Sequence, residues 1–280
     1  MVETRHPERQ GDASAAILLT WFLPGAGHVY VGRIAFGVLA FVIVEGLYAL
    51  GWMLAEGRTF EYLDAELQGR FATLLAPEAG NLGAMLWHLQ SSGFGSSEPL
   101  PFPEWMRLGC FLSALSGVLN LFLASHACVV ARRGGSGKWT QHPAFVALST
   151  WVCPGLGHVL QGRKLRGAIV LCVLLALFGL GTWFAAGTNL SRERHFYYWS
   201  GQFLLGGPAL LAEALGGSAS VRRELPLLDV GLLYACMAGL LNVLAMLDVF
   251  GVAEGHWFAP EARPPAVDVK VATQPQDAAP

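Results

Sequence analysis

The chain has 280 residues, of which 54% are hydrophobic and only 14% charged, with a formal net charge of −2. A soluble domain carries about 25% charged residues, so this composition excludes an ordinary water-solvated globule and points to lipid as the main solvent. Near-neutrality excludes the basic footprint of a nucleic-acid binder, and the excess of Arg over Lys reads as genomic base composition.

In chain order, residues 1–13 form a polar arm. The apolar run that follows lacks a small-x-small cleavage site and reads as a retained anchor. Residues 14–31 are apolar but broken by Pro24, Gly25 and Gly27, and residues 34–55 make a clean run of spanning length, interrupted only by Glu45. Residues 56–105 form an acidic insert. Within it Phe60, Leu63, Leu67, Phe71 and Leu74 recur at helical spacing and predict a short amphipathic helix. Ser91–Ser97 predicts a Gly/Ser loop, and Pro99, Pro101 and Pro103 stiffen the return. Residues 108–131 are the next spanning run, followed by a basic, glycine-rich linker over 134–143. Residues 144–161 are a second broken segment, 167–187 a spanning run, 188–226 a mixed insert with an interfacial aromatic cluster at His195–Trp199, and 227–252 the last apolar run. Residues 259–280 are proline-rich and polar and predict a disordered tail. Cys110, Cys128, Cys153, Cys172 and Cys236 all fall in apolar segments without a CxxC pair, and read as small buried hydrophobes.

Two stretches say the same thing twice. Thr20-Trp21-Phe22-Leu23-Pro24-Gly25-Ala26-Gly27-His28-Val29-Tyr30-Val31-Gly32-Arg33, with Gly37 beyond, returns as Thr150-Trp151-Val152-Cys153-Pro154-Gly155-Leu156-Gly157-His158-Val159-Leu160-Gln161-Gly162-Arg163, with Gly167 beyond. Gly117-Val118-Leu119-Asn120 is likewise echoed by Gly239-Leu240-Leu241-Asn242. The motif copies lie 130 residues apart and the Asn copies 122, so the first insert is about eight residues longer. The expected fold is an all-α integral membrane protein built by tandem duplication: a first repeat over 14–133 and a second over 144–258. Each repeat holds a Pro/Gly-broken motif segment and two spanning helices, four to six spans in total.

If all six apolar segments cross, the halves are inverted, and Arg132, Arg133 and Lys138 lie opposite Arg163, Lys164 and Arg166. If the motif segments enter and leave on one side, each half crosses twice and the halves are parallel. The second arrangement keeps every dense basic cluster on the cytoplasmic face and puts the acidic insert outside, which the positive-inside bias favours. The six-span arrangement stays open, because spanning helices tolerate proline and glycine.

The plain reading of Pro24-Gly25-x-Gly27-His28 is structural. Pro and Gly end a helix, Gly27 admits a close backbone, His28 bonds a carbonyl freed by the break, and Gly32-Arg33 ends the turn at the headgroups. The same holds for Pro154, Gly155, Gly157, His158, Gly162 and Arg163. A sharper reading pairs His28 with His158 across the pseudo-twofold axis to bind haem or a metal, or to relay protons. Glu45, His126 and Asp248 are ionisable groups at or near membrane depth and so are candidates. His126 and Asp248 are equivalent, six residues after Asn120 and Asn242. They could meet if their helices pack together, or simply reach water at the helix ends. Asn120 and Asn242 read as interhelical glue. No catalytic constellation, metal-spaced cluster or phosphate loop is present, so no cofactor or metal is expected.

The P-G-x-G-H-x-Y-x-G-R pattern before an apolar run resembles the TM2 domain, whose signature precedes a segment ending apolar-Asp-apolar, as Leu247-Asp248-Val249-Phe250 does. His28, Tyr30, Gly32 and Arg33 match the signature, as do His158, Gly162 and Arg163, while Leu160 replaces the tyrosine and the long inserts depart from the spacing. The resemblance implies a tandem, insert-bearing, uncharacterised bacterial integral membrane protein, and no reaction. The expected role is a non-enzymatic scaffold, assembly or envelope-associated one in the bacterial inner membrane, with the lipid bilayer and a protein docked on the 56–105 and 188–226 inserts as partners, and with room for oligomerisation. The alternative is a small tandem-repeat transporter or channel with polar groups at the repeat interface. A His28/His158 redox protein is the third.

Overall fold

A computed structural model describes residues 11–61, 71–95, 100–133, 138–216 and 225–258. The first repeat contains α1 (Ala13–Phe22), α2 (Ala26–Tyr30), α3 (Ile34–Leu54), α4 (Leu82–Ser92) and α5 (Met106–Arg133). The second contains α6 (Pro143–Val152), α7 (Leu156–Leu160), α8 (Lys164–Phe184), α9 (Phe196–Phe203), α10 (Gly207–Gly216) and α11 (Leu228–Trp257). Among the described residues, α3, α5, α8 and α11 are long and apolar enough to cross a membrane.

The motif segments do not cross. The Gly11 N–H donates to Ala131 O at one end of α5, and Ala16 packs on Ala127, Val130 and Ala131. Thr20 then lies beside Asn120. From Ala131 to Asn120 is about 16 Å at roughly 1.5 Å per helical residue, half of the ~30 Å hydrocarbon core. Val31 is back in the cluster with Ala127 and Val130, so α2 returns to the starting level and α3 begins there. From that level α3 runs to the opposite end of α5, where Gly51 packs on Gly109. The second repeat does the same: Thr150 reaches Asn242, and the Gln161 Nε2 returns to donate to Val249 O. Each motif segment is therefore a re-entrant hairpin, and both hairpins have the same relation to their spanning helices. That is the parallel arrangement.

The turn at the hairpin tip follows from its residues. Gly25 and Gly155 sit at φ 80° and 82°, a region that favours glycine, and each lies against Gly37 or Gly167 so closely that a methyl would overlap the carbonyl oxygen. The Thr20 hydroxyl donates to Ala16 O at 2.9 Å and accepts the Gly27 N–H at 3.1 Å, and Thr150 repeats this with Val146 O and Gly157 at 3.1 Å each.

The inserts correct the expectation that they stand wholly outside the membrane. A 3-10 turn over Pro77–Gly80 packs on Gly117 of α5, and α4 starts there, at the depth of the hairpin tip. Gly83 meets the Phe22 carbonyl, and a Cβ on Gly83 would overlap it. From that point α4 runs towards the far end of the bundle, where His88 contacts Gly57 and Trp52 contacts Ser92. So α1 and α4 stack end to end, ten and eleven residues, together about 32 Å. In the second repeat α6 and α10 do likewise, with Gly207 against the Val152 carbonyl. The missing half of each broken helix comes from the insert.

Smaller corrections follow. Ser91 and Ser92 lie in α4, so the Gly/Ser loop begins at Gly93. The amphipathic helix falls largely on 62–70, outside the described residues, as does the tail; Phe71–Leu75 is a 3-10 turn with Leu74 and Leu75 exposed. Helix α8 starts at Lys164, because Arg163 ends the turn and nothing delays the helix to 167. Of the cysteines only Cys110 is buried, and Cys172 is exposed on the lipid-facing side of α8. Exposed Trp87, Trp105 and Trp183 gather at the end away from the motif turns, as an interfacial belt does.

The topology predicts that Lys138 and Lys164 share one membrane face, whereas inverted halves would separate them. An impermeant amine reagent applied to sealed vesicles of one orientation should modify both or neither, read by mass spectrometry of the two peptides.

Candidate functional site

The groups placed at depth fall into three sets. The first is the pair of asparagines. Asn120 is fully buried, and its Nδ2 donates to Thr20 O at 2.8 Å and to Gly80 O at 3.0 Å. Asn242, equally buried, donates to Thr150 O at 3.5 Å and to Leu204 O and Leu205 O at 3.1 and 3.2 Å. Each amide joins the carbonyl end of a motif helix to the insert turn facing it. These are carbonyls that the helix break leaves without an intrahelical donor. Glu45 faces Asn81, the N-cap of α4, on the other side of the first junction.

The second set lies at the motif turns. His28 Nε2 is 2.7 Å from His126 Nδ1, and the rings stack with centroids 5.0 Å apart. This differs from the expected bond between His28 and a freed carbonyl; Asn120 takes that role. Phe36 stacks on His126, and on the other side His142 lies with its ring centroid 4.4 Å away. His142 caps α6: its Nδ1 accepts the Ala144 N–H, which leaves the proton on Nε2 in the neutral ring. In the second repeat His158 Nε2 is 3.1 Å from Asp248 Oδ2, which also holds Arg163 at 2.7 Å, while Arg166 stands 3.6 Å from Oδ1. Each motif histidine thus pairs within its own repeat, and His126 and Asp248 each meet a motif histidine. Among the described residues no group of three or more His, Cys, Asp or Glu side chains is arranged to hold a metal ion.

Beside each cluster runs an apolar groove. The first, about 310 Å³, is lined by Phe36, Leu39, Ile43, Leu119, Leu123 and His126 on its own repeat, and by Ala144, Phe145 and Leu148 of α6. The second, about 340 Å³, is lined by Arg166, Ile169, Val173, Leu241, Ala245 and Asp248. Shifted by the repeat offsets, these six positions match the first six one for one.

The third set is invisible to motif reading. Glu78, fully buried in the first insert, accepts from Arg192 of the second at 2.7 Å, and from Ser113 at 2.9 Å. The Arg192 Nη2 also donates to Thr59 O at 3.3 Å, and its guanidinium lies over Phe196 and Trp199. His88 was missed as well: it is fully buried, contacting Gly57 O at 2.9 Å and Tyr48 Oη at 3.1 Å. A buried acid in one insert and a buried base in the other carry no spacing signal, since their partners lie 114 residues apart.

Three substitutions test the first and third sets. Removing one partner of a buried pair strands the other charge, so Arg192→Met should cost about 3–5 kcal/mol, and Glu78→Gln combined with Arg192→Met should recover a large part. Asn120→Ala leaves two buried carbonyls unpaired, at about 1–3 kcal/mol each. Thermal unfolding in detergent, compared with Leu165→Ala at an exposed position, checks both.

The model of a family of unknown function (DUF6677) matches residues 15–136 and again 145–257. No curated protein and no solved structure matches the chain. The two matched stretches are the two repeats just described, each with its hairpin, its broken helix and its Asn-bearing span, and the chain belongs to that family of unknown function.

Proposed function

We propose that this chain is a non-enzymatic integral protein of the bacterial cytoplasmic membrane with a scaffold, assembly or envelope-associated role, and that its motif is a divergent TM2-like one. The observation that carries the reading is the closed midplane. Transport folds place a site where discontinuous helices part. Here Gly83 and Gly207 press against the facing carbonyls of Phe22 and Val152, and Asn120 and Asn242 bond both sides of each junction. At the motif end His28 pairs with His126, and His158 with Asp248. The first insert offers exposed Leu100 and Phe102 towards the opposite face, and exposed Leu74 and Leu75 nearer the midplane, a surface for a protein partner.

A second reading, a proton-linked transporter, is favoured by one observation: the His28–His126–His142 stack borders an apolar groove. Proteoliposomes loaded with a pH-sensitive dye separate the two. The scaffold reading expects proton leak equal to that of empty liposomes, and a photo-crosslinker at Leu75 that captures one discrete protein in cells. Protein-dependent proton flux abolished by His126→Ala would overturn it in favour of transport.

A further inference from the structure

Among the contacts that join the two repeats, the packing of α6 on α5 is not reciprocal. Helix α6 packs on α5, and its Ala144, Phe145 and Leu148 close one side of the first groove. Trp151 of α6 lies against Phe122 and is 4% exposed. A closed twofold would set α1 against α11 in the same way. Helix α11 makes no comparable contact with α1 among the described residues. One chain therefore ends in two uncovered surfaces, and each is the counterpart of a surface covered at the internal junction. The groove of the second repeat is one. Leu244, the counterpart of half-buried Phe122, is 60% exposed. The outer face of α1 is the other, where Ser14, Ala15 and Leu18 stand where Ala144, Phe145 and Leu148 stand in α6. Leu18 is 52% exposed, against half-buried Leu148.

The polar ends agree. At the internal junction the helix cap His142 lies over His126. Its counterpart on α1 is Asp12, whose carboxylate caps α1 by accepting from Ser14 N–H at 2.7 Å and is exposed. The counterpart of the His126 end is Asp248 with two cations, Arg163 and Arg166. Inside the chain a histidine cap meets a histidine ring. At the free ends an anionic cap faces a cluster that carries one surplus positive charge.

We propose that the groove between α8 and α11 seats α1 of a second copy of this chain, repeating between molecules the contact that joins the repeats within one. Such a contact is heterologous, and because the repeats are parallel it adds copies around the membrane normal without inverting them in the bilayer.

Disulfide trapping in native membranes tests this, with the five native cysteines replaced by alanine. Leu18→Cys and Ala245→Cys on one chain should give cross-linked species at multiples of the chain mass. Co-expressed single variants, one carrying each cysteine, should give a dimer, and either single variant alone should give none. Cross-linking by one single variant alone would overturn the proposal in favour of an isologous interface. Failure of the pair to cross-link while the protein elutes as a folded species would overturn it outright. Native mass spectrometry of the unmodified protein gives an independent reading. Multiples of the chain mass are expected, with the associated fraction reduced several-fold by Arg166→Ala. A single chain carrying only phospholipid would mean that lipid fills the groove and would overturn the proposal.

Discussion

The bilayer interior offers no water to a backbone carbonyl, so a helix that stops at mid-depth must find donors from within the protein. In this protein the donor is a side-chain amide, presented twice. Asn120 and Asn242 reach from the second span of each repeat to the carbonyls at the end of the motif helix and to the insert turn that faces it. The rest of the architecture depends on that bond. It holds the hairpin at half depth, and it fixes where the insert turns back. It also lets two half-helices, α1 with α4 and α6 with α10, act as one traverse.

Glycine makes the junction tight. Where Gly83 and Gly207 meet the opposing carbonyls, any side chain would force the half-helices apart. The tip glycines, Gly25 and Gly155, supply the left-handed turn and the close approach to the next span. Together these features make the midplane a packed seam rather than an opening.

Around that shared frame the repeats have diverged in a coordinated way. Phe36 and His126 stack in the first repeat, and their counterparts Arg166 and Asp248 pair by charge in the second. Where one repeat has a ring on a ring, the other has a cation beside a carboxylate, each pair consistent within itself. Glu78 and Arg192 have a different character, for they tie one insert to the other deep in the protein. A buried pair of that kind adds little net stability over an apolar filling, but it strongly disfavours a misaligned junction, where one charge would be stranded.

Much of this was legible beforehand. Composition and run length identify the lipid-solvated class and the spans, because hydropathy is a property of the local chain. The duplication is legible for the same reason, in the repeated Pro-Gly-x-Gly-His motif and the two asparagines. The partners were not. His28 finds His126 rather than a carbonyl or His158, and α4 and α10 hide within inserts too short and too polar to register as spans. A half-helix needs only half of a bilayer's apolar length, and it becomes recognisable only when the other half is stacked upon it. Sequence by itself determined what each segment is made of and therefore which solvent it prefers. Tertiary structure alone decided which broken end meets which, because that choice is made by unpaired backbone groups seeking donors across about a hundred residues of chain.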